Sequence, residues 1–392
     1  MTMPEQQYDG LDAKERHVVF LLTEKCNLDC IYCYEKYKNR STKTLSVDFI
    51  KDKIREEMLS DTIFKKYWFT FFGGEPLLEF DTICNVVDWF LKENWSSRAK
   101  PVHFMVDTNG TLLDSRMKKW FSTHRDHVTL SFSLDGTKSA HDLNRSNSYN
   151  DVSKHFSFLQ ENWPEQPVKM TIGLETIEQI YDGVLHIHSF GLQAEFDVLR
   201  EDVWGDAASE KRAVAAWTEQ LQNLIAFYSL HPEISRPRVL NQKIEMLFDT
   251  RLRESNPFCG AGKHLICFTP DGIEYPCWRF SPLCVSEPLF NITGHATSEN
   301  ETCKSCPLVR ICSSCPGNNY ALTGSWSNRT AFHCGFFKAS LLATVRMLLI
   351  DHPEYLLETF EGESKSEKLQ RMRRLLAIRL INDVCNPVEE CA

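Results

Sequence analysis

The sequence has little of what membrane, secreted and nucleic-acid-binding proteins need. Its 392 residues contain no uninterrupted apolar run of the roughly 18–20 residues that span a bilayer. The opening residues, MTMPEQQYDGLDAKER, lack the basic and apolar regions of a secretory signal. Lysine and arginine, 44 in total, are outnumbered by 53 aspartates and glutamates, whereas affinity for phosphates needs clustered cations. We therefore expect a soluble, cytoplasmic protein that binds neither membrane nor nucleic acid.

Cysteine, by contrast, is abundant, with 15 residues. Disulfides do not persist in a reducing compartment, so dense cysteine in such a protein usually indicates bound metal. Three cysteines lie within residues 26–33 and nine between Cys259 and Cys334. We expect the three isolated ones, Cys84, Cys385 and Cys391, to be small buried hydrophobic residues.

Strand-like and helix-like segments alternate from residue 17 to about residue 230. The apolar, β-rich runs are residues 17–22, 67–72, 103–106, 128–134, 168–174 and 194–199. Helix-like stretches between and after them include residues 46–59, 80–94 and 207–228. Six repeats of strand and helix predict an α/β fold, a partial parallel (β/α)6 TIM-like barrel, over residues 1–235. Residues 236–340 are irregular and predict a domain whose structure depends on bound metal. Residues 341–392 predict terminal helices, one of which is amphipathic over residues 364–384.

Unusual polar segments follow the predicted strands rather than precede them. CNLDCIYC follows the first strand, GGEP the second, DTNG the third and DGTKSAHDLNR the fourth. Barrel enzymes build their active sites from the loops at the carboxyl ends of the strands. The pattern therefore predicts an enzyme with its site at one end of the barrel.

The first cysteine group, Cys26, Cys30 and Cys33, has the spacing CxxxCxxC. Three thiolates on a short loop can hold three irons of a cubane cluster and leave the fourth iron open. A zinc site would need a fourth ligand, and no histidine or cysteine follows closely. A zinc loop completed from elsewhere in the chain is the alternative.

CNLDCIYCYE resembles the signature of the radical S-adenosylmethionine (radical SAM) superfamily. The resemblance implies that the open iron binds S-adenosylmethionine and that an electron cleaves it to a 5′-deoxyadenosyl radical, which abstracts a substrate hydrogen. GGEP resembles the family motif whose carboxylate pairs with the cofactor's ammonium. The same resemblance assigns the cofactor carboxylate to Ser133 and Arg145. The implied cofactor-binding residues are Tyr32, Gly73, Gly74, Glu75, Pro76, Asn109, Ser133 and Arg145.

Each of these assignments has a simpler alternative. Gly-Gly-Glu-Pro is by itself an ordinary turn. Ser133 could be a hydroxyl satisfied within its strand, and Arg145 a surface charge. We expect His186 and His188, on a predicted helix, to be solvated or capped rather than catalytic bases.

The second cysteine region begins with Cys259 and Cys277 around a Pro-Asp-Gly turn, which predicts a hairpin. It continues with CKSCPLVRICSSC, in which two CxxC pairs fit zinc as readily as iron and sulfur. The order of cysteines resembles the SPASM domain of radical SAM proteins, except that two residues rather than three separate the last two cysteines of the run. The resemblance implies one auxiliary cluster on Cys303, Cys306, Cys312 and Cys334. It implies another on Cys259, Cys277 and Cys315, completed by Cys267, by Cys284 or by an open iron, which makes three 4Fe-4S clusters in all.

The substrate class also follows from the resemblance, because SPASM enzymes mostly modify peptides or proteins. Trp278 stands where sulfatase-maturating enzymes typically have an aspartate base, and an indole cannot accept that proton. We therefore predict formation of a carbon–carbon or thioether cross-link in a ribosomally made peptide. Sulfatase-type oxidation of a protein Cys or Ser is the alternative, and a non-catalytic zinc scaffold is the alternative of another class.

Two kinds of protein partner are expected besides the substrate. Cleavage of S-adenosylmethionine requires an electron donor such as flavodoxin or ferredoxin. Only about 16 residues precede the first strand, far fewer than the roughly 50 of a small domain. A leader peptide would therefore bind elsewhere on the enzyme or to a separate leader-binding protein.

Overall fold

The computed structural model describes residues 14–39, 41–60, 62–95, 100–248, 259–292, 300–330, 333–356 and 364–385. The chain forms two compact units that alternate along the sequence. Unit 1 comprises Met1–Met170, His186–Gln193 and Pro257–Thr293. Unit 2 comprises Thr171–Leu185, Ala194–Asn256 and Gly294–Ala392. The sequence-based boundaries at residues 235 and 340 stay predictions.

Strands and helices alternate over the first half of the chain. The strands are β1 (Glu15–Thr23), β2 (Lys66–Gly73), β3 (Val102–Thr108), β4 (Val128–Phe132), β5 (Val168–Ile172), β6 (Ala194–Val198), β7 (Leu265–Phe268) and β8 (Glu274–Tyr275). The α-helices are α1 (Val47–Leu59), α2 (Phe80–Lys92), α3 (Ser115–His124), α4 (Lys138–Asn144), α5 (Tyr149–Ser153), α6 (Phe156–Asn162), α7 (Ile180–His188), α8 (Ala207–Leu230), α9 (Glu301–Lys304), α10 (Pro316–Thr323), α11 (Cys334–Asp351) and α12 (Lys365–Cys385).

Four helices begin where a short polar side chain caps the first turn. Ser46, Asp114, Thr137 and Asp206 precede α1, α3, α4 and α8, and each accepts a hydrogen bond from the backbone N–H three residues later. Such a cap satisfies an N–H group that has no partner within the helix. In the part of the chain that the structure describes, no helix has the length and apolar character needed to cross a membrane.

Unit 1 is built on a six-stranded sheet in the order β4-β3-β2-β1-β7-β8. Strands β1 to β4 and β7 run parallel, and β8 is antiparallel to β7. Phe20, Phe69 and Phe104 lie on neighbouring strands, with successive ring centroids 6.1 Å and 5.7 Å apart. All three rings are buried, and each contributes on the order of 1.5–3 kcal/mol relative to an exposed ring. Parallel strands covered on both faces explain the nearly continuous apolar runs of the sequence.

The predicted α/β fold with a parallel sheet and a cysteine-rich C-terminal region is confirmed. All six predicted strands are present as β1 to β6, and the hairpin around Pro270-Asp271-Gly272 is present as β7 and β8. The sequence did not predict that β7 pairs with β1, with Cys267 opposite Val19. The hairpin of the cysteine-rich region therefore extends the sheet of unit 1.

The core of unit 2 brings its last two helices together with residues from its irregular segments. The core is made of Ile244, Leu247, Leu308, Ile311, Leu341, Val345, Ala377, Ile378 and Ile381. The indole of Trp217 on α8 donates a hydrogen bond to the hydroxyl of Ser340 on α11, at 3.1 Å. The amphipathic helix predicted over 364–384 is α12, and its apolar face covers this core.

Replacement of Ile381 by Ala should destabilise unit 2 strongly. The side chain is fully buried, so the change leaves a cavity and should lower the free energy of unfolding by about 2–5 kcal/mol. Leu369→Ala, on the same helix with 51% of the residue exposed, is the matched control and should change it by less than about 0.5 kcal/mol. Denaturant unfolding would measure both, and equal effects would contradict the position given to α12.

Candidate active site

The loop after β1 brings three cysteines together. The N–H of Cys33 donates to the carbonyl of Cys30 at 3.1 Å, and the N–H of Cys26 donates to Oδ1 of Asn39 at 2.9 Å. Burial raises the pKa of all three thiols, that of Cys26 to about 11, and the charge of Cys30 adds to this effect at Cys26 and Cys33. Without a bound metal, the thiols are therefore held in the protonated form at neutral pH.

The end of β2 lies directly on the backbone that leads into Cys26. The N–H of Gly74 donates to the carbonyl of Thr23 at 3.0 Å, and that of Glu75 to the carbonyl of Lys25 at 2.8 Å. A Cβ atom on Gly74 would lie 2.2 Å from the oxygen of Lys25. One on Gly73, whose φ is 120°, would lie 2.3 Å from the oxygen of Thr23. Only glycine fits at these two positions.

Glu75 connects the end of β2 to the end of β3. Its buried carboxylate accepts hydrogen bonds from the N–H of Leu77 at 3.0 Å, the hydroxyl of Thr108 at 2.7 Å and the N–H of Asn109 at 2.8 Å. Burial raises the pKa of Glu75 to about 7 in spite of these donors. Pro76, also buried, begins the short 3-10 turn that follows. The interaction of Glu75 with the cofactor's ammonium stays a prediction.

Asn109 reaches from the end of β3 to the cysteine loop. Its side-chain Nδ2 donates to Oδ1 of Asn27 at 2.9 Å and lies 4.0 Å from the sulfur of Cys26. Its Oδ1 accepts from the N–H of Thr111 at 3.0 Å, which holds the amide in this orientation. Asn109 therefore lies beside a cysteine of the first group, and its role in a cofactor pocket stays a prediction.

Asp135, just after β4, is the centre of a buried hydrogen-bond network. Its Oδ2 accepts from the hydroxyl of Tyr32 at 2.5 Å, from Nε of Arg145 at 3.0 Å and from Nδ2 of Asn144 at 3.2 Å. The side chain of Asp135 is 1% exposed and that of Arg145 is 9% exposed. The guanidinium of Arg145 also lies 5.3 Å from the centre of the Tyr32 ring. Arg145 is thus a buried, paired cation and not a surface charge.

The segment after α4 binds the cysteine loop a second time. The N–H of Ile31 donates to the carbonyl of Asn144, and the N–H of Asp29 donates to the hydroxyl of Ser146, both at 3.0 Å. Ser146 has a φ of 54°, in the left-handed region that few non-glycine residues adopt. Ser133, at the end of β4, donates its N–H to the carbonyl of Thr108 at 3.1 Å.

The second cysteine region contributes three neighbouring thiols to unit 1. Cys267 is fully buried on β7, and its pKa is raised by burial and by the charges of Cys277 and Cys284. The pKa of Cys284 is raised in the same way, and Cys277 and Cys33 are among the charges that act on it. Cys259, half-buried, precedes β7 in the same unit.

Trp278, directly after Cys277, occupies a packed position. Its ring lies 5.2 Å from that of Phe72 at the end of β2. Its buried Nε1 has no hydrogen-bond partner among the described residues. The indole therefore contributes packing at this position.

Unit 2 holds the remaining cysteines of the second region. The charges of Cys303, Cys306 and Cys312 all act on Cys334 at the start of α11, so these four thiols are neighbours. Cys315 precedes α10 in the same unit. Over the described ranges, no three His, Cys, Asp or Glu side chains are arranged to share a single metal ion.

The isolated cysteines and the two histidines are accounted for separately. Cys84 is half-buried on α2, and Cys391 lies outside the described residues. Cys385 packs against the core of unit 2, close enough to Cys334 for its charge to raise the Cys385 pKa, after the larger effect of burial. Nε2 of His186 lies 2.6 Å from the hydroxyl of Tyr149, and Nδ1 of His188 lies 2.9 Å from the carbonyl of Leu192.

Residues 20–182 match the Radical SAM superfamily. The chain thus carries a radical SAM domain. Over 317 residues it is 23% identical to the cysteine-type anaerobic sulfatase-maturating enzyme of Clostridium perfringens, an alignment that covers 73% of this chain and 84% of that protein. Over 267 residues it is 25% identical to the subtilosin biosynthesis protein AlbA of Bacillus subtilis, covering 67% of this chain and 55% of AlbA.

Solved structures agree on the fold. The native anSMEcpe structure with bound AdoMet has a TM-score of 0.67 at 18% identity and covers 86% of this chain and 99% of that one. Streptococcus suis SuiB bound to its precursor peptide SuiA has a TM-score of 0.51 at 15% identity and covers 81% of this chain and 76% of SuiB. These structures show that the fold is shared. The radical SAM domain and the two sequence relatives mark the chain as an enzyme, and not as the non-catalytic zinc scaffold that the sequence left as an alternative.

A radical SAM domain implies S-adenosylmethionine and a 4Fe-4S cluster as cofactors. The loop after β1 fits such a cluster, because it presents three neighbouring thiols with an amide donor 4.0 Å from one sulfur. Gly73 and Gly74 approach the chain that leads into this loop so closely that neither position has room for a side chain. Asp135, Asn144 and Lys38 were missed at the sequence level, although the first two stand in the segment DGTKSAHDLNR that follows β4.

Replacement of Asp135 by Asn should destabilise the protein strongly, although the two side chains have nearly the same size. It leaves the guanidinium of Arg145 buried without its counter-ion, which should lower the free energy of unfolding on the order of 3–5 kcal/mol. Asp81→Asn, which removes an exposed ion pair with Arg116, should leave stability close to that of the wild type. Chemical denaturation would compare the two variants, and similar stabilities would contradict the burial of the Asp135–Arg145 pair.

Proposed function

We propose that this enzyme forms a cross-link, through a carbon–carbon or a thioether bond, between side chains of a ribosomally made peptide. The observation that carries this proposal is Trp278. The indole stands directly after Cys277, where sulfatase-maturating enzymes typically have an aspartate base, and it cannot accept a proton. Its contact with Phe72 and its buried nitrogen support a packing role for the ring.

In this proposal, Cys26, Cys30 and Cys33 hold the cluster, and bound S-adenosylmethionine supplies the radical that abstracts a hydrogen from the peptide. The chain's own residues position the cofactor. Ser133 and Arg145 hold its carboxylate, Asn109 and Tyr32 line its pocket, and Gly73 and Gly74 provide a backbone surface. The pairing of Arg145 with Asp135 through Nε supports this role, because it orients the guanidinium beside Cys30.

We assign one auxiliary cluster to Cys303, Cys306, Cys312 and Cys334. The mutual electrostatic effects of these thiols support the assignment. We assign a second auxiliary cluster to Cys259, Cys277 and Cys315. Cys267 and Cys284 both lie near Cys277, so both remain candidates for its fourth ligand.

The proposed reaction needs partners. A one-electron donor such as flavodoxin or ferredoxin supplies the reducing equivalent, and the leader of the precursor peptide binds either on the enzyme itself or to a separate leader-binding protein. The abundance of cysteine supports a cytoplasmic location, where a reducing environment keeps thiols free for metal.

Sulfatase maturation is the second candidate function, and a specific observation favours it. The alignment covers 84% of the sulfatase-maturating enzyme but 55% of AlbA. In this alternative the enzyme would oxidise a Cys or Ser of a protein substrate, with a base other than residue 278.

The iron content tests the three clusters. Protein purified and reconstituted without oxygen should hold about twelve irons per chain, the sum of three four-iron clusters. Substitution of Cys26, Cys30 and Cys33 together by Ala should remove about four irons and abolish 5′-deoxyadenosine formation, because the cluster that binds S-adenosylmethionine is lost. Cys84→Ala, on α2, is the matched control and should keep all of the iron. About four irons together with bound zinc would contradict the auxiliary clusters.

The product mass decides between the two reactions. The reduced enzyme should be incubated with S-adenosylmethionine and, in parallel, with a precursor peptide encoded beside its gene and a sulfatase-derived peptide. A cross-link removes two hydrogens and keeps every sulfur, whereas conversion of cysteine to formylglycine removes the sulfur. We expect the first product, from the precursor peptide. Loss of sulfur from the sulfatase peptide would contradict the proposal.

A further inference from the structure

Lys38 lies five residues after the last cysteine of the first group, and its side chain folds back into that group's loop. Its Nζ donates to the carbonyl of Leu28 at 3.0 Å and lies 3.2 Å from Oδ1 of Asp29. Both acceptors stand between Cys26 and Cys30 in the chain. The Lys38 side chain is only 10% exposed, so the ammonium is held inside the loop and not in solvent.

The charge of Lys38 acts on every thiol of the first group. It lowers the pKa of Cys26, Cys30 and Cys33, in each case against the larger effect of burial. The effect is mutual. Burial acts to lower the pKa of Lys38, but the charges of Cys33 and Cys26 and the hydrogen bond to Asp29 outweigh it and raise the pKa. Lys38 is therefore a protonated cation at neutral pH.

Two cations, Arg145 and Lys38, act on the thiols of this loop, and their counter-ions differ in exposure. Arg145 also lowers the pKa of Cys30, but its partner Asp135 is 1% exposed and opposes that effect at short range. The carboxylate partner of Lys38 is Asp29, whose side chain is 94% exposed and is screened by water. A screened carboxylate compensates a buried ammonium poorly. The buried carboxyl of Glu35 also interacts with Lys38, so the positive charge of Lys38 is compensated only in part where the thiols meet.

We infer that Lys38 holds a positive charge beside Cys26, Cys30 and Cys33 and thereby makes the cluster bound by these cysteines easier to reduce. Reduction adds one electron from a one-electron donor, transfers no proton and increases the negative charge of the cluster by one. A fixed cation beside the thiolates stabilises that added charge. The inference rests on the proposed assignment of the cluster to these three cysteines.

The test is a comparison of four anaerobically reconstituted proteins. Wild type, Lys38→Gln, Lys38→Arg and Lys36→Gln would be titrated with dithionite, and the reduced cluster followed by electron paramagnetic resonance. Lys36 is an exposed lysine of the same loop, so its substitution controls for a change in net charge. We expect the ratio of oxidised to reduced cluster, at a fixed potential, to be about tenfold higher in Lys38→Gln than in wild type. This corresponds to a shift of the reduction potential by about 59 mV to a lower value. Lys38→Arg and Lys36→Gln should remain close to wild type.

The outcomes separate this inference from the proposed function. An unchanged potential in a Lys38→Gln protein with full iron content would overturn it. If that variant fails to take up iron, Lys38→Met, which keeps the apolar stem, repeats the measurement. Loss of iron in both neutral variants but not in Lys38→Arg would assign Lys38 to holding the loop and would also overturn the inference. Failure of the proposed function is a different result, namely full iron content after substitution of Cys26, Cys30 and Cys33.

Discussion

The close approach of the Gly73-Gly74 backbone to Thr23 and Lys25 is the constraint on which the rest of the site depends. Two neighbouring parallel strands end at the same edge of the sheet, and the chain leaving β2 lies directly on the chain leaving β1. A single methyl group at either glycine would separate them. This contact sets where Glu75 projects, and Glu75 in turn holds the end of β3. The cysteine loop is thereby joined to three successive strands through backbone and buried carboxylate contacts.

The two buried carboxylates of the site are stabilised in different ways. Glu75 accepts three neutral donors, and burial still raises its pKa to about 7. Asp135 also accepts three donors, but one of them is the cation of Arg145. Glu75 is thus held by neutral donors alone, whereas Asp135 is held in part by an ion pair. Both arrangements hold their side chains in one geometry before any ligand binds, which reduces the ordering that binding requires.

Local patterns in the sequence predicted the strands and the polar segments that gather at one end of the sheet. The apolar runs identified β1 to β6, and the polar segments after four of them do meet in hydrogen-bond contact. Lys38 and Asp135 were not predicted to be buried, because a single lysine or aspartate in a polar loop has the pattern of an exposed charge. Their burial depends on contacts between distant parts of the chain. The pairing of β7 with β1 was missed for the same reason, since it joins residues about 250 positions apart.

The hairpin formed by β7 and β8 also bears on how this protein can be divided. A cut near residue 235 would remove the strand that covers β1 and would leave a row of unpaired backbone groups on a hydrophobic strand. Exposed edges of this kind recruit strands from other molecules and lead to aggregation. An isolated N-terminal part, or a chimera that exchanges the cysteine-rich region as a module, must therefore keep residues 265–275 with the sheet of unit 1. Strand β7, which carries Cys267, lies in the cysteine-rich region of the sequence but is part of the sheet of unit 1.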